Sequence, residues 1–197
     1  MFKSLSYKFA NILVNNKVIE SEDFEIYRYG SETLIYFIVN VLVALLIGIV
    51  FDKFIHTILF LSCYCTLRQF TGGYHARNYT ECTITFAVSY ILIIMITNNI
   101  DIYRFKYLLI ALLLISITII HKVAPLEHRN KPLSIDEKMN YKKIIKKITA
   151  IITTIVIISL IVNVASEYII YSVWSVFLIV ILLLVQIMIN YSKIKSI

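Results

Sequence analysis

Charged residues are scarce in this sequence of 197 amino acids: only 16% are Asp, Glu, Lys or Arg, while 59% are hydrophobic. The mean hydropathy is +0.82. Soluble globular domains carry about 25% charged residues, so this balance excludes that class. The apolar residues are grouped in long Ile-, Leu- and Val-rich runs with almost no charge inside them, which is typical of membrane-spanning helices. The composition therefore predicts an all-α, polytopic membrane protein in which residues 1–197 form a single domain.

Cysteine is also rare, and an odd number of three, Cys63, Cys65 and Cys82, argues against a disulfide framework. We expect reduced thiols. Cys63 and Cys65 lie inside an apolar run without the second ligand pair that structural zinc needs, so we interpret them as small buried side chains. No two of the four histidines have the i, i+4 spacing of ligands on one helix face. The sequence therefore predicts no metal and no cofactor.

The N-terminal region, residues 1–30, lacks an uninterrupted apolar core followed by a small-residue cleavage site, so we expect no cleavable signal peptide. Within it, residues 2–19 place apolar side chains at three- and four-residue spacings around Lys3 and Lys8. This pattern predicts an amphipathic helix in the membrane interface, which serves as an anchor or a docking surface.

Six hydrophobic segments follow. The second, third and fourth have only about 14 or 15 residues, so as helices they cover about 21 to 23 Å of a hydrocarbon core about 30 Å thick. Tilted, bilayer-thinning and re-entrant arrangements all remain open for these three. The six segments are residues 33–51, 54–67, 83–97, 107–120, 148–165 and 168–189.

The net charge of +7 comes from basic residues that flank the apolar runs. That placement is typical of membrane orientation, so we expect no nucleic-acid partner. If all six segments cross with the N-terminus inside, all but three of the 19 Lys and Arg residues lie on the inner side, leaving Lys53, Arg104 and Lys106 outside. The positive-inside rule thus predicts a multi-pass protein of the cell membrane in this orientation.

The largest polar insertion, residues 121–147, holds both prolines of the chain. We predict that it is a basic cytoplasmic loop. Two interpretations remain open: a topology determinant that also touches anionic membrane lipid, or a binding surface for an acidic partner. The candidate binding residues are Lys142, Lys143, Lys146 and Lys147.

Residues 68–82 read RQFTGGYHARNYTEC and contain a His and a Cys beside two of the four glycines of the chain. Gly72 and Gly73 permit positive φ and the close approach of another backbone, which would leave N–H groups to stabilise an oxyanion. A thiolate is a nucleophile, and a nearby imidazole can take its proton, so Cys82 and His75 suit covalent catalysis. The spacing alone is weak, because His75 could merely cap the loop while Cys82 packs.

Three neighbours have supporting roles to consider. Arg68 is costly to bury at membrane depth, so we expect either a structural partner or a substrate carboxylate. Gln69 could donate to an oxyanion, or it is a polar interface residue. Glu81 could orient His75, but its adjacency to Cys82 aims it away from that face in a helix.

The whole stretch resembles the central motif of the accessory gene regulator protein B family, AgrB. In that family an Arg, a Gly-Gly, a His two positions on and a Cys seven residues after the His recur, and they fall here on Arg68, Gly72, Gly73, His75 and Cys82. Residues 23–36, DFEIYRYGSETLIY, are similar to the acidic, aromatic approach to the family's first span. Residues 124–134, APLEHRNKPLS, look like its NKPL-type loop.

The resemblance implies a membrane endopeptidase that acts on a quorum-sensing precursor, an AgrD-like peptide. Cys82 would attack a peptide bond, release the C-terminal tail and retain a thioester, from which an internal cysteine of the precursor closes a thiolactone. A transporter for a peptide and a non-catalytic scaffold are the alternatives. The spans hold few of the ionisable residues that mark a transport path, which disfavours the transporter.

Geometry adds one further expectation. Residues seven apart on a straight helix are about 10.5 Å apart along its axis, beyond the roughly 2.6 to 3.2 Å reach of proton transfer. We therefore predict that the chain turns between Gly72 and Glu81 and that Cys82 lies at or near the start of the third segment. Pairing of His75 and Cys82 across a homodimer is the alternative.

Overall fold

The computed structural model describes residues 2–73, 79–126, 133–162, 164 and 166–195. The regular secondary structure of this described part is helical, with no strands, which confirms the all-α prediction. A short 3₁₀ turn, Ser21–Asp23, precedes the second helix. The helices are α1 (Phe2–Asn15), α2 (Phe24–Val50), α3 (Phe54–Thr71), α4 (Tyr79–Asn98), α5 (Ile102–Val123), α6 (Ile135–Val162) and α7 (Ser166–Lys195).

Each of the six predicted segments corresponds to one helix, although the first ends one residue after α2 and the fifth runs past Val162, the last residue of α6. The third and fourth segments belong to α4 and α5, which have 20 and 22 residues. At about 1.5 Å per residue these helices reach roughly 30 Å, so the predicted shortness of the two segments was wrong. The polar start of α5 is helical because Asp101 caps it, its carboxylate accepting hydrogen bonds from the N–H groups of Tyr103 and Arg104.

Five helices are long and apolar enough to cross a membrane, namely α2 and α4 to α7. Helix α3 has 18 residues and is not among them. It nevertheless runs between both ends of the bundle. Near its start, His56 stacks on Tyr168 of α7, with ring centroids 4.6 Å apart. At its last residue, the Thr71 carbonyl accepts a hydrogen bond from the N–H of Leu126, which lies beyond the end of α5.

Helices α3 and α7 pack together most extensively, and deeply buried aromatic side chains join α3 to α4. Phe60 of α3 packs on Tyr90 of α4, with ring centroids 4.7 Å apart, and both residues are fully buried. The Tyr90 hydroxyl shares a 2.6 Å hydrogen bond with the Thr57 hydroxyl, so its polar atom is satisfied inside the bundle. This aromatic layer fixes α4 against α3.

The predicted N-terminal amphipathic helix is present as α1, which ends at Asn15 before Lys17 takes a positive φ of 54°. It packs on α2 through its small residues Ser6 and Ala10, which are fully buried. Its large apolar side chains are exposed, including Leu5 and Phe9. Lys3 and Lys8 are exposed as well, so the outer surface of α1 carries both apolar and basic side chains, as an interfacial helix requires.

The expected basic loop at residues 121–147 needs correction. Helix α5 continues to Val123 and α6 begins at Ile135, so most of the insertion is helical. The reason is a capping box at the start of α6: the Ser134 N–H donates to the Glu137 carboxylate at 2.8 Å, and the Glu137 N–H donates to the Ser134 hydroxyl at 3.2 Å.

Candidate functional site

The motif of residues 68–82 joins the end of α3 to the start of α4. Arg68 and Gln69 lie in the last turn of α3, Gly72 and Gly73 follow it outside the helix, and Cys82 lies in the first turn of α4. The predicted placement of Cys82 near a helix start is confirmed. His75 belongs to residues 74–78, which lie outside the described part of the chain, so its pairing with Cys82 stays a prediction.

Gly72 and Gly73 turn the chain away from α3, with φ of 67° and 117°. A Cβ on Gly72 would overlap the carbonyl oxygen of Leu126, and one on Gly73 would overlap the Arg68 guanidinium. The expected positive φ and the close approach of another backbone are both confirmed. Because side chains rarely adopt such φ values and have no room here, both positions require glycine.

The backbone that approaches is the segment after α5. The Leu126 N–H donates to the Thr71 carbonyl at 2.9 Å, while the Leu126 carbonyl lies against Gly72. Two stretches more than 50 residues apart in sequence are thereby held together at one end of the bundle. We call this contact of Leu126 with Thr71 and Gly72 the clasp.

One predicted oxyanion donor is already engaged. The Gly72 N–H donates to the Arg68 carbonyl at 3.2 Å and so ends α3 in the usual C-terminal manner. A backbone N–H used in this way is not available to a reacting carbonyl. This corrects the expectation for Gly72, whereas a donor role for Gly73 stays a prediction.

Arg68 has the structural partners that its position required. Its guanidinium donates to the Gly72 carbonyl and is hydrogen-bonded to the Tyr64 side chain, one helical turn earlier. These contacts brace the glycine turn from inside. They fit the structural alternative for Arg68, and a contact with a substrate carboxylate stays a prediction.

Tyr64 is a site residue that the sequence analysis missed. Its ring packs against Phe60 of α3 and Phe86 of α4, at centroid distances of 5.6 and 5.3 Å. Besides its hydrogen bond to Arg68, it interacts electrostatically with Cys82. The sequence signal that could have indicated Tyr64 is its spacing from Arg68. Tyr64 precedes Arg68 by four residues, so both lie on one face of α3. Cys82 and Phe86 have the same spacing and share one face of α4.

All three cysteines are free thiols and are partly exposed. Cys63 hydrogen-bonds Ser172 and Ser175 of α7, and Cys65 lines a cavity against α2. Both lie in the middle of α3 and are only half buried, not fully buried as expected. Of the three, Cys82 alone lies at a helix start.

Gln69 is exposed and lies on another face of α3 from Tyr64 and Arg68. Its amide donates to the Thr66 carbonyl at 3.3 Å, and its side chain lines the same cavity as Cys65, of about 470 Å³, between α2 and α3. An oxyanion role for Gln69 stays a prediction, and this position gives it no direct support.

The four candidate binding lysines lie on α6 and all are exposed. The opposite face of the same helix is packed: Tyr141 meets Phe70 of α3 edge to face at 5.4 Å, and Ile145 and Thr149 are buried. The lysine face therefore begins at the same end of the bundle as the glycine turn.

The described histidines do not come together. His56 lies at the start of α3, whereas His121 near the end of α5 is hydrogen-bonded through Nε2 to the Thr149 hydroxyl at 2.8 Å. Among the described residues, no three His, Cys, Asp or Glu side chains are grouped as metal ligands. No pair of described histidines thus forms a shared site.

Comparison with known proteins identifies the family. The family model of accessory gene regulator B matches residues 6–193. The chain is 27% identical over 160 residues to AgrB-like protein 2 of Clostridium perfringens strain 13 (type A), covering 79% of this chain and 73% of that protein. An AgrB-like protein of Clostridium perfringens strain SM101 (type A) is 24% identical over 160 residues, with the same coverage of 79% and 73%. No solved structure matches the fold.

The family match spans nearly the whole chain and so includes every helix of the bundle. Membership implies a role in the accessory gene regulator system, where a quorum-sensing peptide is processed, and a link to an AgrD-like precursor. With five helices able to cross a membrane, the chain is a multi-pass membrane protein. This protein belongs to the accessory gene regulator B family.

Proposed function

We propose that this protein is a membrane cysteine endopeptidase that cleaves an AgrD-like precursor, with Cys82 as the nucleophile and His75 as its base. The observation that carries the proposal is the position of Cys82 in the first turn of α4, partly exposed and linked through Tyr64 and Arg68 to the braced glycine turn. The N-terminal end of a helix carries a partial positive charge, which stabilises a thiolate there.

In the proposed reaction, His75 takes the Cys82 proton and the sulfur attacks a peptide carbonyl of the precursor. The C–N bond breaks, the imidazolium protonates the departing amine, and the C-terminal tail leaves while a thioester remains on Cys82. An internal cysteine of the precursor then attacks that thioester, which closes a thiolactone and restores the Cys82 thiol.

Ring closure competes with hydrolysis. Exchange of one thioester for another is nearly balanced in free energy, whereas water would convert the activated acyl group to an acid. A site at the end of a membrane bundle that restricts water favours the ring. We propose that this end faces the cytoplasm, in accordance with the distribution of Lys and Arg.

The first prediction follows from the unequal surroundings of the three thiols. Cys82→Ala and His75→Ala each abolish precursor cleavage while the protein remains in the membrane, and Cys63→Ala and Cys65→Ala keep cleavage within a few-fold of the original chain. Coexpression with the precursor, followed by mass measurement of the intact protein, detects an acyl adduct on Cys82.

The cysteine variants within α3 are the matched controls, because they remove the same thiol from the same bundle. Cleavage that survives in Cys82→Ala contradicts the proposed nucleophile. An adduct on Cys63 or Cys65 contradicts it equally.

A further inference from the structure

The Tyr64 hydroxyl interacts with both the Arg68 guanidinium and Cys82. It is hydrogen-bonded to the first and interacts electrostatically with the second, as it does with Cys65 on its own helix. Arg68 and Cys82 are the residues that brace the glycine turn and carry the nucleophilic sulfur.

The ring of Tyr64 is held at the depth of Cys82 by packing. Phe86 contacts it at 5.3 Å and lies one turn after Cys82 on the same face of α4. Phe60 also contacts it, with ring centroids 5.6 Å apart and an interplanar angle of 8°. Two aromatic contacts from two helices fix the ring, so the hydroxyl has a defined position relative to the start of α4.

The chemistry of arginine decides which way the hydrogen bond runs. A guanidinium has only donors, so in the Arg68–Tyr64 pair the phenolic oxygen accepts. The phenolic hydrogen remains to donate to another group. A cation that donates to the oxygen also polarises the O–H bond, which strengthens it as a donor.

The site needs such a donor. When a thiolate adds to a carbonyl, negative charge develops on the carbonyl oxygen and must be met by preorganised donors. The Gly72 N–H is engaged by the Arg68 carbonyl, and the Gln69 amide lies on another face of α3. Of the oxyanion donors expected from sequence, these two are therefore poorly placed.

We propose that the Tyr64 hydroxyl donates a hydrogen bond to the oxyanion formed when Cys82 attacks the precursor, and that Arg68 holds and polarises this hydroxyl. The inference rests on the proposed function. In the step concerned, the S–C bond forms as the carbonyl π electrons move to oxygen. The oxyanion accepts the Tyr64 hydrogen bond, and its collapse restores the C=O bond and expels the amine, which takes its proton from the imidazolium.

Tyr64→Phe tests the hydroxyl while keeping the ring contacts with Phe60 and Phe86. Loss of one oxyanion donor lowers the rate of the chemical step by roughly 100- to 1,000-fold. We expect that loss in single-turnover acylation of Cys82, with little change in KM. Tyr90→Phe is the matched control, because it removes a hydroxyl bonded to Thr57 from the same aromatic layer, and we expect its acylation rate to stay within about threefold.

A second variant separates chemistry from packing. Replacing Tyr64 by 3,5-difluorotyrosine keeps the hydroxyl and makes it a more acidic donor. The acylation rate should therefore differ from that of the original chain, whereas a purely structural tyrosine would leave the rate unchanged. Membrane level and thermal unfolding of each variant in detergent are measured in parallel.

Two results would overturn the inference. One is Tyr64→Phe acylating within about threefold of the original chain while Cys82→Ala is inactive, which leaves the proposed function intact. The other is equal loss of activity and of thermal stability in Tyr64→Phe and Tyr90→Phe, which makes Tyr64 structural. Cleavage by Cys82→Ala would instead remove the proposed function itself.

Discussion

At the level of single residues, the turn after α3 depends on two glycines, which have no Cβ atom. Gly72 has no Cβ, and the Leu126 carbonyl occupies the space where one would lie. Gly73 leaves room in the same way for the Arg68 guanidinium, which reaches back to the Gly72 carbonyl. The Leu126 carbonyl and the Arg68 guanidinium thus converge on two residues without side chains.

Gly72→Ala should damage this turn. The new Cβ meets Leu126 and the positive φ is strained, which costs about 1 to 3 kcal/mol. We expect a lower midpoint of thermal unfolding in detergent and at least a tenfold slower cleavage of the precursor.

Gly30→Ala is the control for that change. Gly30 is a helical glycine of α2 with no heavy atom near its Cβ position, so alanine there gains helix propensity of up to about 1 kcal/mol. A Gly72→Ala protein as stable and active as Gly30→Ala would contradict the role given to the clasp.

Sequence reasoning reached Cys82 and the glycine turn because short-range patterns express them, namely a Gly-Gly pair, a His and a Cys within a few residues. It could not reach the clasp, since nothing local relates Leu126 to Thr71. Sequence analysis missed Tyr64 for another reason. Tyr64 lies in an apolar run, where an aromatic residue is ordinarily interpreted as part of the core. Only the fold shows that its hydroxyl meets Arg68.

At the level of helices, α6 combines two environments in one element. Its 28 residues reach about 42 Å, longer than the hydrocarbon core of about 30 Å. The lysine-bearing half comes first and the apolar half follows. The sequence analysis assigned the first half to a loop because of its high density of charged residues. Two signals of a helix were given less weight: the Ser134–Glu137 cap and the four-residue spacing of Tyr141, Ile145 and Thr149.

The exposed lysine face makes a prediction about substrate binding. If it holds an acidic part of the precursor, changing Lys142, Lys143, Lys146 and Lys147 together to Gln raises the apparent KM several-fold and weakens its dependence on salt. Steady-state cleavage between low and physiological ionic strength measures both effects. Glutamine preserves the helix, so kcat should change little.

Lys53 and Lys106, changed together to Gln, provide the control because they flank other helix starts, those of α3 and α5. Kinetics of the fourfold variant that match the control across the salt series would contradict substrate binding. The lysine face would then have its alternative role in topology and contact with anionic lipid.

At the level of the whole molecule, hydropathy predicted the number and order of the segments, and the structure adds which ends lie together. The end of α3, the segment after α5 and the start of α6 meet through the clasp and through the contact of Phe70 with Tyr141. The site and the lysine face therefore share one side of the bundle. The distribution of Lys and Arg along the chain favours the cytoplasmic side for this end of the bundle.

This orientation is tested by labelling single cysteines in a chain with the native thiols replaced. We expect Lys142→Cys to resist an impermeant maleimide in intact cells and to react after permeabilisation. Arg104→Cys, exposed near the start of α5, should react in intact cells. Ready labelling of Lys142→Cys from outside would reverse the assignment.

The clasp also sets an order of events during synthesis. The glycine turn leaves the ribosome more than 50 residues before Leu126, and the partner that occupies the space beside Gly72 does not yet exist at that stage. A nascent chain holding only α1 to α4 therefore carries its cysteine and its glycines without the backbone that fixes them. The glycine turn gains its Leu126 partner only after α5 has been synthesised, so a chain truncated or stalled before that point lacks the clasp.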